Sequence, residues 1–234
     1  MSNCPICDTE PLEAGQRNGS DRLLTCQKCA HIWQDPLEIR KAYNAQYVAE
    51  RYDSYGEDVQ RMSHLRLGFV QAFAEGKRLL DVGYGNGSFI HTAKKAGFAA
   101  YGYDVHGCGE KYGVKEVTLD QGLWDVVTLF DSLEHFDDLA PIKDLAARSI
   151  HIIVSTPARP TTFPHNLDWR HYRPGEHLHY FCPASLRALF RQHTLIRHGP
   201  VEDTIRGQLD GQPNILTYAF GPTSGLWQSL KASV

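Results

Sequence analysis

Leu79-Leu80-Asp81-Val82-Gly83-Tyr84-Gly85-Asn86-Gly87-Ser88-Phe89-Ile90 is the stretch on which the fold turns. The run from Arg78 to Val82 is short and apolar, with one acid, and reads as a buried strand. Three glycines in five residues follow, then a helical stretch to about Ala96 that Gly97 closes. A strand, a glycine turn and a helix start together form a generic nucleotide site. The glycines let a ligand approach the backbone, and the helix N-terminus attracts anionic groups. In open α/β sheets such ligands sit beyond the carboxyl ends of the strands. A dinucleotide fingerprint, GxGxxG, needs its third glycine at position 88, where this chain has Ser88. The GxGxG spacing weakens a reading as an NAD or FAD site. No GxxxxGK[ST] occurs, so a P-loop is not indicated.

Working outward, Ala99–Asp104 reads as a second strand ending in an acid. Asp104 lies 17 residues past Gly87, where a carboxylate accepts hydrogen bonds from both ribose hydroxyls. Val114–Leu119 reads as a short third strand, Trp124–Phe130 as a fourth and Asp138–Arg148 as a helix. Ile150–Ser155 is a fifth strand, stopped by Pro157. Pro183–His193 is a helix with proline at its start, and strands near 194–203 and 214–220 finish a sheet. Upstream, Met62, Leu65, Phe69, Val70 and Phe73 recur at helical spacing over 61–75. Alternating strands and helices predict an α/β sandwich around a mainly parallel sheet.

The chain has 234 residues, 42% of them hydrophobic. That suffices for one substantial core and a small appendage held by other means. The appendage is residues 1–35. Cys4 and Cys7 form one CxxC, Cys26 and Cys29 a second, with 18 residues between the pairs. Two such turns supply the four sulfurs that tetrahedral Zn²⁺ prefers. A redox or free-thiol reading lacks the surrounding βαβ pattern. Only Leu12, Leu23, Leu24, Ile32 and Trp33 offer apolar surface there. Metal ligation is therefore expected to supply most of the folding free energy, on the order of 10 kcal/mol. His31 follows the last ligand closely, but four sulfurs already complete the shell. Cys108 and Cys182 stand alone and read as ordinary small residues. Residues 36–60 form a tyrosine-rich linker or lid (Tyr43, Tyr47, Tyr52 and Tyr55), and residues 61–234 the α/β domain.

The formal net charge is −3, which gives no general attraction for phosphate backbones. Residues 1–35 hold three Lys/Arg against five Asp/Glu, a poor phosphate reader. RNA or DNA is thus the weaker choice of partner, although a free nucleotide base escapes this objection. No apolar stretch approaches the roughly 20 residues that cross a bilayer. The start Met1-Ser2-Asn3-Cys4 has no signal-peptide pattern, so a cytoplasmic protein without a membrane partner is expected.

LLDVGYGNGSFI, then YGYDV, then WDVVTLFDSLEHF resembles the class I S-adenosylmethionine (SAM)-dependent methyltransferases over about residues 60–195. The resemblance implies a Rossmann-like seven-stranded sheet whose last strand runs antiparallel. It implies that Asp81, Gly83, Tyr84, Gly85 and Gly87 border the methionine and ribose part of SAM. Asp104 would hold the ribose hydroxyls, Val105 touch adenine, Asp120 lie near the adenine amino group, and Phe130 and Asp131 close the pocket floor. Only 19 residues separate Asp104 from Trp124, fewer than the family usually uses. The helix after Asp104 is thus reduced to a turn, which weakens the assignment of Asp120. The cysteine knuckle with the tyrosine stretch resembles bacterial methyltransferases of sugar and secondary-metabolite biosynthesis. It implies a small-molecule, sugar or sugar-nucleotide acceptor, with the tyrosines lying over the cofactor. A non-catalytic zinc-containing interaction protein is a further alternative, opposed by the intact glycines and Asp104.

Methyl transfer asks an enzyme to place the nucleophile on the methyl axis in a dry pocket. An oxygen or activated carbon also needs a base, for which a near-neutral histidine is suited. Two constellations offer one. Asp131, Glu134 and His135 follow the fourth strand at helical spacing. They resemble a metal-binding segment of ubiquinone-type O-methyltransferases, with Asp131 in place of the first Glu, so Mg²⁺ there is weighed against the preferred positioning role. The second is the histidine-rich stretch with His165, His171, His177 and His179. His177 and His179 share a face if the segment is extended. His135, His177 and His179 are the candidate catalytic residues. Trp169, Arg170, Tyr172 and Arg173 nearby suit a sugar ring or a phosphate.

Overall fold

The structure is a computed structural model that describes residues 2–18, 21–39 and 56–223. Tyr43, Tyr47, Tyr52 and Tyr55, and with them the expected lid, lie outside the described residues. Among the described residues there are ten strands: β1 (Leu12–Asn18), β2 (Asp21–Thr25), β3 (Ile32–Asp35), β4 (Arg78–Val82), β5 (Ala99–Tyr103), β6 (Trp124–Phe130), β7 (Ser149–Pro157), β8 (His179–Tyr180), β9 (His193–Gly199) and β10 (Ile215–Pro222). The helices are α1 (Asp58–Phe73), α2 (Ser88–Lys95), α3 (Ala140–Ala147), α4 (Pro183–Leu189) and a short α5 (Asp203–Arg206).

Among the described residues the main sheet has six strands in the order β5-β4-β6-β7-β10-β9. β5, β4, β6 and β7 run parallel, and β10 inserts antiparallel between β7 and β9. The central strands are covered on both faces, so they read as continuous apolar runs rather than alternating ones. Leu79, Leu80 and Val82, then Val126, Val127 and Leu129, then Ile152, Ile153 and Val154 are all buried. Helix α2 turns Phe89, Ile90 and Ala93 into this core.

The sheet is mixed and Rossmann-like as expected, but its strand count is six, not seven. The segment expected as a third strand, Val114–Leu119, keeps a single parallel bridge between Gly102 and Glu116. Gly102 N donates to Lys115 O at 3.0 Å, and Val117 N to Gly102 O at 3.0 Å. The short connection after β5 makes only the 3₁₀ turn Gly109–Tyr112, too little chain to set up a full crossover and strand. Helix α4 also ends earlier than expected, because His193 already opens β9.

The N-terminal sheet runs β1-β2-β3-β8, so its fourth strand comes from the α/β domain. Ile32 pairs with Tyr180 and Trp33 with His179. Two tight turns carry the cysteines: Asp8 N donates to Cys4 O and Ala30 N to Cys26 O, each at 2.9 Å. Sγ–Sγ separations are 3.7 Å for Cys4–Cys29, 3.4 Å for Cys7–Cys26 and 3.8 Å for Cys7–Cys29. A tetrahedral zinc with Zn–S near 2.3 Å sets sulfurs about 3.8 Å apart, so the four thiols have the spacing of a zinc shell. A shared hydrogen bond holds Cys4 down to about 5 and pushes Cys29 up. Such a cluster can ionise fully only around a cation.

Metal is not the ribbon's sole support. Ile6, Leu24 and Trp33 belong to the same buried cluster as Leu80, Leu186 and Phe190. The expectation that ligation supplies most of the folding energy treated the ribbon's apolar residues alone; in the fold, the neighbouring core completes their packing.

Candidate functional site

The carboxyl ends of β4, β5 and β6 open onto one cleft of about 1180 Å³ among the described residues. Its size exceeds the roughly 300–1,000 Å³ of a typical single-ligand site, which leaves room for a cofactor and an acceptor side by side.

The glycine turn forms one wall. Gly83, Gly85 and Gly87 all have positive φ, 77°, 58° and 80°, a region that other residues enter only with strain. At Gly83 space is also short: a Cβ would lie 2.4 Å from Ser132 Cβ. Asp104, at the tip of β5, accepts the Gly85 N–H on Oδ2 and the His106 N–H on Oδ1, each at 2.8 Å. Each oxygen has further acceptor capacity, and burial raises the pKa of the group. Val105 beside it lines the cleft and is 72% exposed, an apolar platform next to an acid.

Asp81 lines the cleft with its carboxylate buried, accepting a 2.7 Å hydrogen bond from Thr128 Oγ1. Burial pushes its pKa up to about 7. Tyr84 turns its ring under the loop after β5 and donates its hydroxyl to Glu116. Phe130 packs edge-on against Phe89 and carries the Arg66 guanidinium 4.4 Å above its ring.

Asp131 is present in the cleft, but in ion pairs. It bonds Arg66 at 3.0 Å and also Arg206, while Glu202 bonds the same two arginines at 2.8 Å each. No local pattern announces this partnership, whose members come from α1, α5 with the residue before it, and the end of β6. Asp131 therefore does not join Glu134 and His135 in a metal-ligand set. The group the fold assembles is Glu134, His135 and His177, with one ligand atom from each within 4.8 Å of the others. Two imidazoles and a carboxylate could hold a divalent ion.

His135 and His177 meet edge to face, ring centroids 4.8 Å apart. Each donates Nδ1–H to a backbone carbonyl: His135 to Glu176 O at 2.7 Å and His177 to His171 O at 2.8 Å. That fixes the tautomer and leaves Nε2 as the lone-pair nitrogen. Burial, with His135 alongside, holds the His177 pKa down to about 3, so its ring stays neutral. His171 also lines the cleft and bonds Asn214 Oδ1 through Nε2 at 2.7 Å. Arg170 and Arg173 line the same end.

Two expectations fail geometrically. His179 does not face the cleft. Residues 173–177 form a turn in which Arg173 O accepts both Glu176 N and His177 N. The period-two argument thus does not apply, and His179 points at the ribbon, bonding His31 at 3.0 Å. Asp120 is not in the cleft lining. It accepts the Thr118 hydroxyl in an exposed turn, because the missing third strand does not carry it to the sheet's edge.

Comparison with known proteins follows this geometry. A family model described as a methyltransferase domain matches residues 48–195. A ubiquinone biosynthesis O-methyltransferase of Vibrio campbellii is 31% identical over 149 residues, 52% of this chain; the match spans 63% of that relative's length. The magnesium protoporphyrin IX methyltransferase of Synechocystis PCC 6803, solved with bound SAH, superposes with a TM-score of 0.55 at 17% identity, covering 77% of this chain and 96% of the other. A putative methyltransferase in complex with the Trm112 activator of Haloferax volcanii gives a TM-score of 0.57 at 14% identity, covering 78% and 99%. At these identities the structures speak for the fold alone. With more than half its length inside that family model, this chain belongs to the methyltransferase-domain family.

Proposed function

We propose that this chain is a SAM-dependent methyltransferase that methylates an oxygen or carbon of a small molecule, sugar or sugar-nucleotide. The observation that carries the reading is the joining of Asp104 to the positive-φ glycine turn in the cleft that also holds His135 and His177. When bound, SAM supplies an electrophilic methyl on a cationic sulfur.

The turn from Gly83 to Gly87 and the N-terminus of α2 would receive the methionine carboxylate through backbone N–H groups. The Asp104 oxygens would accept the ribose hydroxyls, Val105 would lie against the adenine, and Asp81, Tyr84 and Phe130 would shape the pocket near the sulfur. Across the cleft, His135 would be the base that takes the acceptor's proton as the new bond forms, and His177, kept neutral by burial, would hydrogen-bond the acceptor beside it. His171, Arg170 and Arg173 offer hydrogen bonds to a polyhydroxylated or anionic acceptor. Asp131, committed to Arg66 and Arg206, would hold the floor rather than a Mg²⁺ ion. Cys4, Cys7, Cys26 and Cys29 would hold a structural zinc.

No helix among the described residues is long and apolar enough to cross a membrane, which is compatible with a cytoplasmic setting. Calorimetry with SAM and SAH tests cofactor binding. Transfer of a labelled methyl to a panel of sugars, sugar-nucleotides and phenols tests the acceptor. Absence of SAM binding below millimolar concentration would overturn the proposal.

A further inference from the structure

Gln34 lies on β3, next to the cysteine knuckle, and is 1% exposed. A buried glutamine must satisfy its polar atoms, and Gln34 does so against the α/β domain. Its backbone N–H donates to Leu178 O at 2.9 Å. Its Oε1 accepts the Gly175 N–H at 2.7 Å, and its Nε2 donates to Pro36 O at 3.2 Å. The two contacts to the α/β domain hold the 173–177 turn at its middle, Gly175, and just past its end, Leu178. On the far side, Leu178 N donates to Glu134 O at 2.8 Å. The turn is thus clamped between the ribbon and the segment after β6.

This turn carries the Glu176 carbonyl that takes the His135 Nδ1–H, and it carries His177, whose own Nδ1–H reaches back to His171 O. The ribbon is anchored at its other edges too. Arg159 donates to Ala30 O at 2.8 Å and Tyr180 O at 3.0 Å, and Lys143 donates to Pro5 O at 2.6 Å. Pro5 and Ala30 belong to the cysteine turns. A change in the knuckle therefore reaches β3, and through β3 the turn.

We infer that Gln34 is a positioning residue for the cleft histidines, through which the cysteine knuckle sets the orientation of His135 and His177. That these histidines face a methyl acceptor rests on the proposed function; the linkage between ribbon and histidines does not. Oriented ring nitrogens matter because proton transfer tolerates little misplacement. The knuckle would then act as a remote brace of the acceptor side, leaving the cofactor side to Asp104 and the glycine turn.

The test uses the full-length, zinc-loaded protein and long-range ¹⁵N–¹H spectra of its histidines. In the wild type, His135 and His177 are expected as Nδ1–H tautomers. In Gln34→Ala both lose that tautomer, while SAH affinity stays within about threefold. Gln34→Glu, which keeps an oxygen for the Gly175 N–H, restores the tautomers. Removing zinc from the wild type with a chelator reproduces the Gln34→Ala spectrum and supplies the same test should Gln34→Ala not fold. Unchanged His135 and His177 signals in Gln34→Ala, or in zinc-free protein whose ribbon signals have collapsed, would overturn the inference. Failure of the wild type to bind SAH would instead strike the proposed function and leave the histidine result readable.

Discussion

Asp104 and Gly85 are joined by a 2.8 Å hydrogen bond from the glycine N–H to Oδ2. The tip of β5 is thereby tied to the turn after β4. One carboxylate orders the turn and faces the cleft at once. Asp104→Ala is expected to weaken SAM and SAH binding by about 1.5–3 kcal/mol, the range for losing charge-assisted hydrogen bonds. Calorimetry measures this, and an unchanged affinity would remove Asp104 from the site.

Asp81 makes the site sensitive to pH. Burial raises its pKa to about 7 in the folded chain, from the ordinary aspartate value of 3.8. The folded state therefore holds a proton over pH 4–7 that the unfolded state has released. Its contribution to stability is present below pH 4 and is lost as pH rises through 7. His177, held down to about 3 from the ordinary 6.5, contributes stability that is lost as pH falls through the overlapping range between those values, so the Asp81 effect is read by difference. Unfolding free energy against pH for wild type and Asp81→Asn should diverge by a few kcal/mol across this window. Parallel curves would contradict the assignment.

The same carboxyl predicts a cofactor effect. A sulfonium nearby favours the ionised form, so SAM should bind more tightly as pH rises from about 6 to 8. Neutral SAH should respond less. Equal pH dependence for the two ligands in titration calorimetry would mean that Asp81 does not sense the sulfur's charge.

Gly83 and Gly113 both have positive φ, but only Gly83 is crowded by a neighbour. Gly113→Ala should cost about 1–2 kcal/mol, the left-handed backbone penalty. Gly83→Ala should cost that and a further 1–3 kcal/mol or so, because a methyl would overlap the Ser132 side chain. Urea denaturation would distinguish them; equal losses would show that the turn relaxes freely.

Glu202 is buried between Arg66 and Arg206. Glu202→Gln should destabilise the fold by about 3 kcal/mol, since it leaves two poorly solvated guanidinium groups sharing Asp131. Pairing it with Arg66→Met should recover part of the loss. Strict additivity in a double-mutant cycle would argue that the pairs do not cooperate.

The parts of this molecule legible in the sequence were those encoded locally. Gly83–Gly87, the two CxxC pairs and the apolar runs of β4, β6 and β7 are short-range patterns, and a spacing alone conveys the geometry. Asp104 followed because a strand between it and Gly87 fixes its place. What stayed hidden depended on distant chain segments meeting. Arg206 reaches Asp131 across 75 positions of chain, and Arg66 reaches Glu202 across 136. His31 finds His179 across 148, and nothing near either residue announces the contact. Asp120 and His179 were misplaced for a related reason: both assignments assumed extended strands, where the chain makes a bridge and a turn.

Tyr84 fills a hollow that three glycines leave open. A methyl built on Gly102, Gly107 or Gly109 would meet its ring at 2.3–2.9 Å. Four positions, one on β5 and three in the connections after β4 and β5, thus share a single volume. An enlargement at Gly107 must be answered by a smaller residue at 84, and one at Gly102 or Gly109 also by a smaller Val114, so drift at one site is contingent on drift at the others. Libraries that randomise these positions separately should return mostly dead clones, whereas joint randomisation should uncover new solutions in which a bulkier loop is matched by a slimmer partner.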